Sequence, residues 1–368
     1  MNKKIFVTAV TALFLFGAAA VLLADSGTAE DDTAVPIGDP VDPYFTIKNS
    51  IGTTVTFSEP AQKAASLGLS FSTTLLELGC LDDIVMIDNY SATSSSGVAE
   101  FGSIYPYPVG DGQAIAQLLA NGLGGFNKNR DVVFLYGYSY HATAIQSMET
   151  LGLKVVTFYP QSYEAGKNMV TDIGKIMGVS AKAKEITDSM DSALTYYSDK
   201  LADYGITETQ KVKAAYVSYS GGIIRVGNIN SYSVILMKIA GGANAADNAS
   251  LTGSSLTSYQ VDSSFFIQTD LDVIFLDPYY TGTPGSFREE MNIGSEVRIY
   301  KLSMVMNQYG PTSLDGIEYM AMAMYPYIFG PVENDDNTVD NGNTMLYVAA
   351  GGAAVAAIAV AYVVVSKP

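Results

Sequence analysis

Ala181-Lys-Ala-Lys-Glu-Ile-Thr-Asp-Ser-Met-Asp-Ser-Ala-Leu-Thr-Tyr-Tyr-Ser-Asp-Lys-Leu201 is the stretch on which the architecture turns. Its apolar and small residues Ala183, Ile186, Met190, Ala193, Leu194, Tyr197 and Leu201 recur at three- and four-residue spacing. That spacing predicts one continuous amphipathic helix. At about 1.5 Å per residue a helix of this length spans roughly 30 Å, enough to run from one compact lobe to another. A preceding helix ends near Gly178, and from Tyr163 to about Tyr204 no strand pattern occurs.

On either side, short apolar runs alternate with helical patterns. Before the helix, Thr53–Phe57 after Thr46–Ile47 suggests a hairpin, and Ala64–Leu67, Ile84–Ile87, Val132–Tyr136 and Val155–Tyr159 read as strands. Ser70–Gly79, Ala114–Ala120 and Thr143–Leu151 read as helices between them. After it come strands at Lys213–Ser218, Val273–Leu276 and Val297–Leu302, with helices at Ser233–Gly241, Ser264–Thr269 and Leu314–Tyr327. Alternation of this kind predicts an α/β architecture, with parallel sheets covered by helices. The expected plan is a first lobe over 44–180, an interlobe helix over 181–204 and a second lobe over 205–330.

The two ends read differently. Lys3 and Lys4 precede the uncharged apolar run Ile5–Ala24, the layout of a secretory signal or of an uncleaved anchor within residues 1–24. No cysteine lies near its end, which excludes a bacterial-type lipid anchor there. An acidic, proline-bearing linker, 25–43, leads to the first lobe. An acidic stalk, 331–344, leads from the second lobe to Met345–Val365, an uncharged stretch long enough for a transmembrane helix. Positive charge at both tips places the body outside, at the cell surface and anchored to the cytoplasmic membrane.

The formal net charge of −17 argues against nucleic acid as a partner. The single cysteine, Cys80, forms no internal disulfide and reads as a small buried apolar residue. One histidine excludes a histidine-cluster metal site, and no phosphate loop, nucleophile elbow or dinucleotide fingerprint appears. Nothing calls for a cofactor or marks an enzyme.

The segments Thr46-Ile-Lys-Asn-Ser-Ile-Gly-Thr-Thr-Val-Thr-Phe-Ser-Glu-Pro60, Ala65-Ser-Leu-Gly-Leu-Ser70, Leu75-Leu-Glu-Leu-Gly79 and Ile84-Val-Met-Ile-Asp-Asn-Tyr-Ser91 stand in order along the first lobe. Asp131-Val-Val-Phe-Leu135, Leu151-Gly-Leu-Lys-Val-Val156, Ile239-Ala-Gly-Gly-Ala-Asn244, Asp270-Leu-Asp-Val-Ile-Phe275, Gly310-Pro311 and Met324-Tyr-Pro-Tyr-Ile-Phe329 follow. Together, over about residues 44–330, they resemble the class III solute-binding proteins of ABC importers, the iron-siderophore, haem and cobalamin group. The resemblance implies two Rossmann-like lobes joined by a rigid helix, with a metal chelate or tetrapyrrole in the cleft and an ABC permease with its ATPase as partner. The other reading is a structural or adhesive cell-surface protein that has kept the fold.

In α/β lobes ligands sit beyond the carboxyl ends of the strands. The loops there carry Tyr90, Tyr105, Tyr107, Tyr138, Tyr140 and His141 in the first lobe, and Tyr219, Arg225, Tyr279, Tyr280 and Tyr309 in the second. Any one loop tyrosine is ordinarily a half-buried packing residue, and the chain has 25 of them. Their concentration at strand exits suits a cleft walled by flat rings with hydroxyl handles, fitted to a bulky chelate. His141 is a candidate axial donor to a chelated metal, and Arg225 a candidate partner for a ligand carboxylate or phosphate. The resemblance further implies permease docking through one acidic residue on each lobe. Glu100 stands at the first position. Ser264 occupies the second, leaving Asp262 as the nearest carboxylate.

Overall fold

A computed structural model describes residues 45–249, 251, 256–332 and 339–340. The expected signal or anchor, the 25–43 linker, most of the stalk and the run 345–365 lie outside them. Among the described residues no helix is long and apolar enough to cross a membrane.

A hairpin, β1 (Phe45–Lys48) and β2 (Thr54–Phe57), opens the fold. The first lobe is a five-stranded sheet in the order β5-β4-β3-β6-β7, every neighbour parallel. Its strands are β3 (Ala64–Leu67), β4 (Ile84–Asp88), β5 (Pro106–Tyr107), β6 (Val132–Tyr136) and β7 (Lys154–Phe158). β3 and most of β6 are buried on both faces, as a parallel sheet covered by helices requires. Alternate residues divide between two cores. Ala65, Val133, Leu135 and Val155 meet α2 (Gly112–Ala120) and α3 (Ala142–Thr150), while Ala64, Val132, Phe134 and Val156 meet α1 (Leu69–Glu77) and α4 (Tyr163–Ile176).

The interlobe helix, α5, runs Ser180–Asp203. Ala183, Met190, Ala193, Tyr197 and Leu201 face the core as the spacing predicts. Leu194 does not; it is 43% exposed, because a stripe of 3.6-residue period that buries Ala193 and Tyr197 leaves it on the flank. α4 and α5 cross closely, since a Cβ at Gly174 would lie 2.3 Å from that of Ala183.

The second lobe is a mixed sheet, β11-β9-β8-β12-β13-β14, with β10 (Ala243–Asn244) also paired to β8. Here β8 is Lys213–Ser220, β9 Ile223–Gly227, β11 Ser258–Val261, β12 Val273–Leu276 and β13 Arg298–Lys301. The sequence reading placed Gly221–Gly227 in a loop and expected parallel pairing. Instead Gly221 and Gly222, both with positive φ, close a two-residue hairpin that turns the chain into an antiparallel strand. A second difference is β14, Val339–Asp340, which pairs antiparallel with β13 inside the segment read as a stalk. α6 (Tyr232–Ile239), α7 (Ser263–Gln268), α8 (Pro284–Met291) and α9 (Ser313–Met324) complete the lobe.

One face of the second sheet, with Ala214, Tyr216, Val273, Phe275 and Tyr300, shares a continuous core with the first lobe through α4, α5, α6 and α9. The lobes are thus joined by packing as well as by a helix. They also meet at a single hydroxyl. Ser70 Oγ accepts from Tyr136 Oη at 2.7 Å and from the Tyr309 N–H at 3.1 Å, and donates to Gln308 Oε1 at 3.0 Å. All of its hydrogen-bonding capacity is used. Ser70→Ala should leave these partners unmatched and cost about 1–3 kcal/mol in a denaturant titration.

Candidate functional site

The carboxyl ends of both sheets face one cleft. β6 ends at Tyr136, and the chain then lays down Tyr138, Tyr140 and His141. Tyr138 stacks on Tyr136 at 5.2 Å and on Tyr140 at 5.1 Å, and meets Tyr159, just past β7, edge-on at 5.2 Å. Burial raises the Tyr138 phenol well above its usual pKa, and the hydroxyls of Tyr309, Tyr140, Tyr159 and Tyr279 add to the effect. Rings of both lobes therefore converge on it. Tyr309 packs on Tyr232 at 4.2 Å, below them.

His141 has a defined tautomer. Its Nδ1 lies 2.9 Å from the Tyr136 carbonyl, which only accepts, so Nδ1 carries the proton and Nε2 keeps its lone pair. The ring sits edge-on to Tyr140 at 4.4 Å.

The floor on the second-lobe side is a polar cavity of about 290 Å³, lined by Tyr216, Ser218, Ser233, Asp277, Asn307 and Tyr309 among others. Ser233 donates to Asn307 at 2.6 Å, Asn307 donates to Tyr216 Oη at 3.1 Å, and Tyr216 donates to Asp277. Burial raises the Asp277 pKa, opposed by the Tyr216 hydroxyl, the Tyr279 N–H and the charge of Lys301. Asp88, which ends β4, is also buried and raised, opposed by bonds from Ser91 and its neighbours. Tyr279 donates its N–H to Asp277 at 2.8 Å. Burial raises its pKa, and Asp277, Tyr90 and Asp88 raise it further.

Of the residues expected from sequence, Tyr90, Tyr138, Tyr140, His141, Tyr279 and Tyr309 are brought together. Tyr90, Tyr140 and Tyr279 remain 61%, 73% and 58% exposed. The other tyrosines are placed elsewhere. Tyr105 lines a separate concavity with Lys63, Asp82 and Leu123, beside the starts of β3 and β4. Tyr107 stacks on Tyr105 at 6.1 Å and bonds Asp111. Tyr219 donates to Glu290 at 2.6 Å, and Tyr280 is buried against Phe287. Both belong to the second lobe's own packing. Arg225 lies on β9 opposite Ser218, one of the residues lining the floor, without an ion-pair partner among the described residues. Glu100 is exposed on a turn over Ala99–Ser103. Asp262 caps α7, accepting from the Ser264 N–H at 2.9 Å, and those bonds hold its pKa below the usual range.

Asp88, Asp277, Tyr159 and Tyr216 are absent from the sequence-based set. A readable signal existed for the first two. Each of two apolar strands ends in Asp-x-Tyr, as Asp88-Asn-Tyr90 and Asp277-Pro-Tyr279. No group of histidine, cysteine and carboxylate side chains able to hold a bare metal ion occurs among the described residues.

No family model and no curated protein matches the sequence. Solved structures do. The Haemophilus influenzae molybdate periplasmic binding protein MolA superimposes with a TM-score of 0.61 at 16% identity, over 78% of this chain and 94% of that one. Helicobacter pylori CeuE with Ni(II) bound gives 0.58 at 16% identity, over 78% and 91%. A periplasmic heme binding protein from Pseudomonas aeruginosa gives 0.56 at 16% identity, over 77% and 99%. With its two sheets, spanning helix and cleft between them, the chain has the fold of the class III periplasmic solute-binding proteins.

Proposed function

We propose that this chain is the substrate-binding protein of an ABC importer, taking a metal chelate or tetrapyrrole into the interlobe cleft. The observation that carries the reading is the wall of tyrosine rings around Tyr138, with His141 beside it presenting a free Nε2 lone pair. Flat rings offer stacking area at low conformational cost. An imidazole fixed by its other nitrogen is a ready axial donor to iron or cobalt. The similar proteins named for heme, Ni(II) and molybdate support a binding role of this kind.

In this reading the protein works outside the cytoplasmic membrane, tethered by Met345–Val365, and releases its load to the permease. Glu100 is the first-lobe docking contact. Asp262, engaged as a helix cap, is the weaker candidate for the second.

Titration of the full chain with haemin, cyanocobalamin and ferric ferrichrome, followed by tyrosine fluorescence, tests the binding role. At least one should quench emission with Kd below about 10 μM, roughly −7 kcal/mol. Tyr138→Ala should weaken that complex about tenfold, the order expected for a lost aromatic contact. His141→Ala should shift the visible bands of a bound iron or cobalt centre. If none of these probes binds in that range, the chelate reading is wrong.

A further inference from the structure

Strand register places Arg225 at the rim of the second-lobe cavity. It lies opposite Ser218 on β8 and opposite Gln260 on β11, and directly paired residues share one face of a sheet. That is the face from which Ser218, Gly227 and Ser258 line the cavity. Arg225 is half-buried, and its guanidinium has no ion pair or hydrogen bond among the described residues.

A second wall is the start of α6, whose residues Ser231, Tyr232 and Ser233 also line the cavity. Ile235 is the first to donate to a helical carbonyl, that of Ser231 at 3.0 Å. The N–H groups of Tyr232, Ser233 and Val234 have no acceptor among the described residues. A helix start in this state carries partial positive charge. Ser231 stands at the cap position, yet its hydroxyl does not cap. The residue is only 7% exposed, and its side chain has no hydrogen bond among the described residues. A Cβ added at Gly227 would lie 3.2 Å from Ser231 Oγ, so that hydroxyl sits over the sheet face that carries Arg225. A buried hydroxyl without a partner is a cost unless something else bonds it.

Asp277 enters the same cavity from the end of β12, two strands from Arg225 with Ser218 between them, a backbone separation of roughly 10 Å. Its oxygens already accept from the Tyr216 hydroxyl and the Tyr279 N–H, and Lys301 acts on its charge. The cavity is thus polarised, with unused donors on the side of α6 and β9 and an acceptor on the side of β12.

We propose that this cavity seats an anionic oxygen group of the ligand, a carboxylate or a phosphate, at the open start of α6, held by its N–H groups, the Ser231 hydroxyl and the Arg225 guanidinium. Helix starts and arginine forks are well suited to such groups. The proposal rests on the cleft being the ligand site and names the chemistry of one end of what it takes.

Calorimetric titration of the full chain in an uncharged detergent, with inorganic phosphate and with malonate, tests the site without any chelate. In 0.15 M sodium chloride, where surface charge is screened beyond about 8 Å, one of the two should bind with Kd below about 1 mM. Which one binds separates phosphate from carboxylate. Arg225→Gln should weaken that binding about tenfold or more. Ser231→Ala should weaken it about threefold or more, yet leave the denaturant midpoint of the ligand-free chain unchanged, because no cap bond is lost. Lys184→Gln, in an exposed ion pair on α5, removes the same charge as Arg225→Gln and should change nothing. In a second arm haemin, with two carboxylates, should bind about tenfold or more tighter than its dimethyl ester, and Arg225→Gln should remove most of that difference.

The two arms separate this proposal from the chelate reading. If neither anion binds and haemin and its ester bind alike, the anion site falls and the chelate reading stands. If phosphate or malonate binds through Arg225 but haemin, cyanocobalamin and ferric ferrichrome do not, the anion site stands and the chelate reading falls. An equal loss in Lys184→Gln, or a lowered ligand-free midpoint in Ser231→Ala, overturns the proposal.

Discussion

Phe71→Ala is expected to lower the unfolding free energy by about 3–5 kcal/mol, a large share of the roughly 5–15 kcal/mol that holds most domains together. Phe71 is fully buried near the start of α1. Its ring lies 4.5 Å from Tyr136, 5.7 Å from Phe158 and 6.3 Å from Phe134. The cavity cannot easily collapse, because its walls belong to β6, paired on both sides, and to β7, paired along its length with β6. A Cβ at Gly68 would lie 2.6 Å from the Tyr136 ring, so the backbone has no slack there either. Tyr136 is also the ring that donates to Ser70 and whose carbonyl holds His141. A denaturant midpoint and a ligand titration on the same variant should therefore move together. A loss below about 1 kcal/mol, the range of a tolerated core swap, would show that the aromatic cluster is not a rigid part of the core.

The second large effect falls at the opposite end of the same sheet. Asp131 is fully buried just before β6. It accepts from Arg130 Nε at 2.7 Å and Nη2 at 3.0 Å, and from the N–H groups of Asn127, Gln62 and Lys63. One carboxylate thus ties the entries of β3 and β6 together. Asp131→Asn keeps the shape but turns an NH2 donor towards N–H donors and strands the guanidinium, at an expected cost of about 3 kcal/mol.

The pH dependence has a definite sign. Burial alone would raise the Asp131 pKa, but the Arg130 and backbone bonds outweigh it and hold it below the usual value. A depressed folded-state pKa contributes stability above the unfolded value near 4 and loses it as pH falls through the folded one. The stability gap between wild type and Asp131→Asn should be full at neutral pH and narrow below about pH 4. Comparing the two chains isolates this group from Asp88 and Asp277, whose shifts run the other way. A gap that is constant with pH would mean that the carboxylate's charge plays no part.

Local pattern made the first lobe and the long helix readable. Val132–Tyr136 and Val273–Leu276 form strands at the very residues their apolar runs mark. β9 escaped notice because Ile223-Ile-Arg-Val-Gly227 is short, carries an arginine and follows paired glycines that resemble a loop. Only the partner strand shows that those glycines close a hairpin.

The site divides in the same way. Tyrosines at strand exits were visible, but their destinations depend on tertiary neighbours. Tyr219 proves to lie within β8 and Tyr280 follows β12 as Tyr279 does, yet Glu290 and Phe287 draw both into the lobe's own packing. The buried carboxylates were hidden for a related reason. An aspartate after a strand is an ordinary turn residue until the fold covers it.

The short strand β14 also sets the direction in which the chain leaves the second sheet. It pairs Val339 with Tyr300 and Asp340 with Ile299, so the chain leaves the sheet heading towards the amino-terminal end of β13, away from the cleft. Four residues, Asn341–Thr344, then precede Met345; at about 3.5 Å each they reach at most some 14 Å. A tether at Met345 would therefore hold the receptor by its base with the mouth of the cleft turned outward. On the proposed function, such a tether would have the protein collect solute in its resting pose, and β14 would have to unzip, or the body tip over, before the cleft could meet a permease in the same membrane.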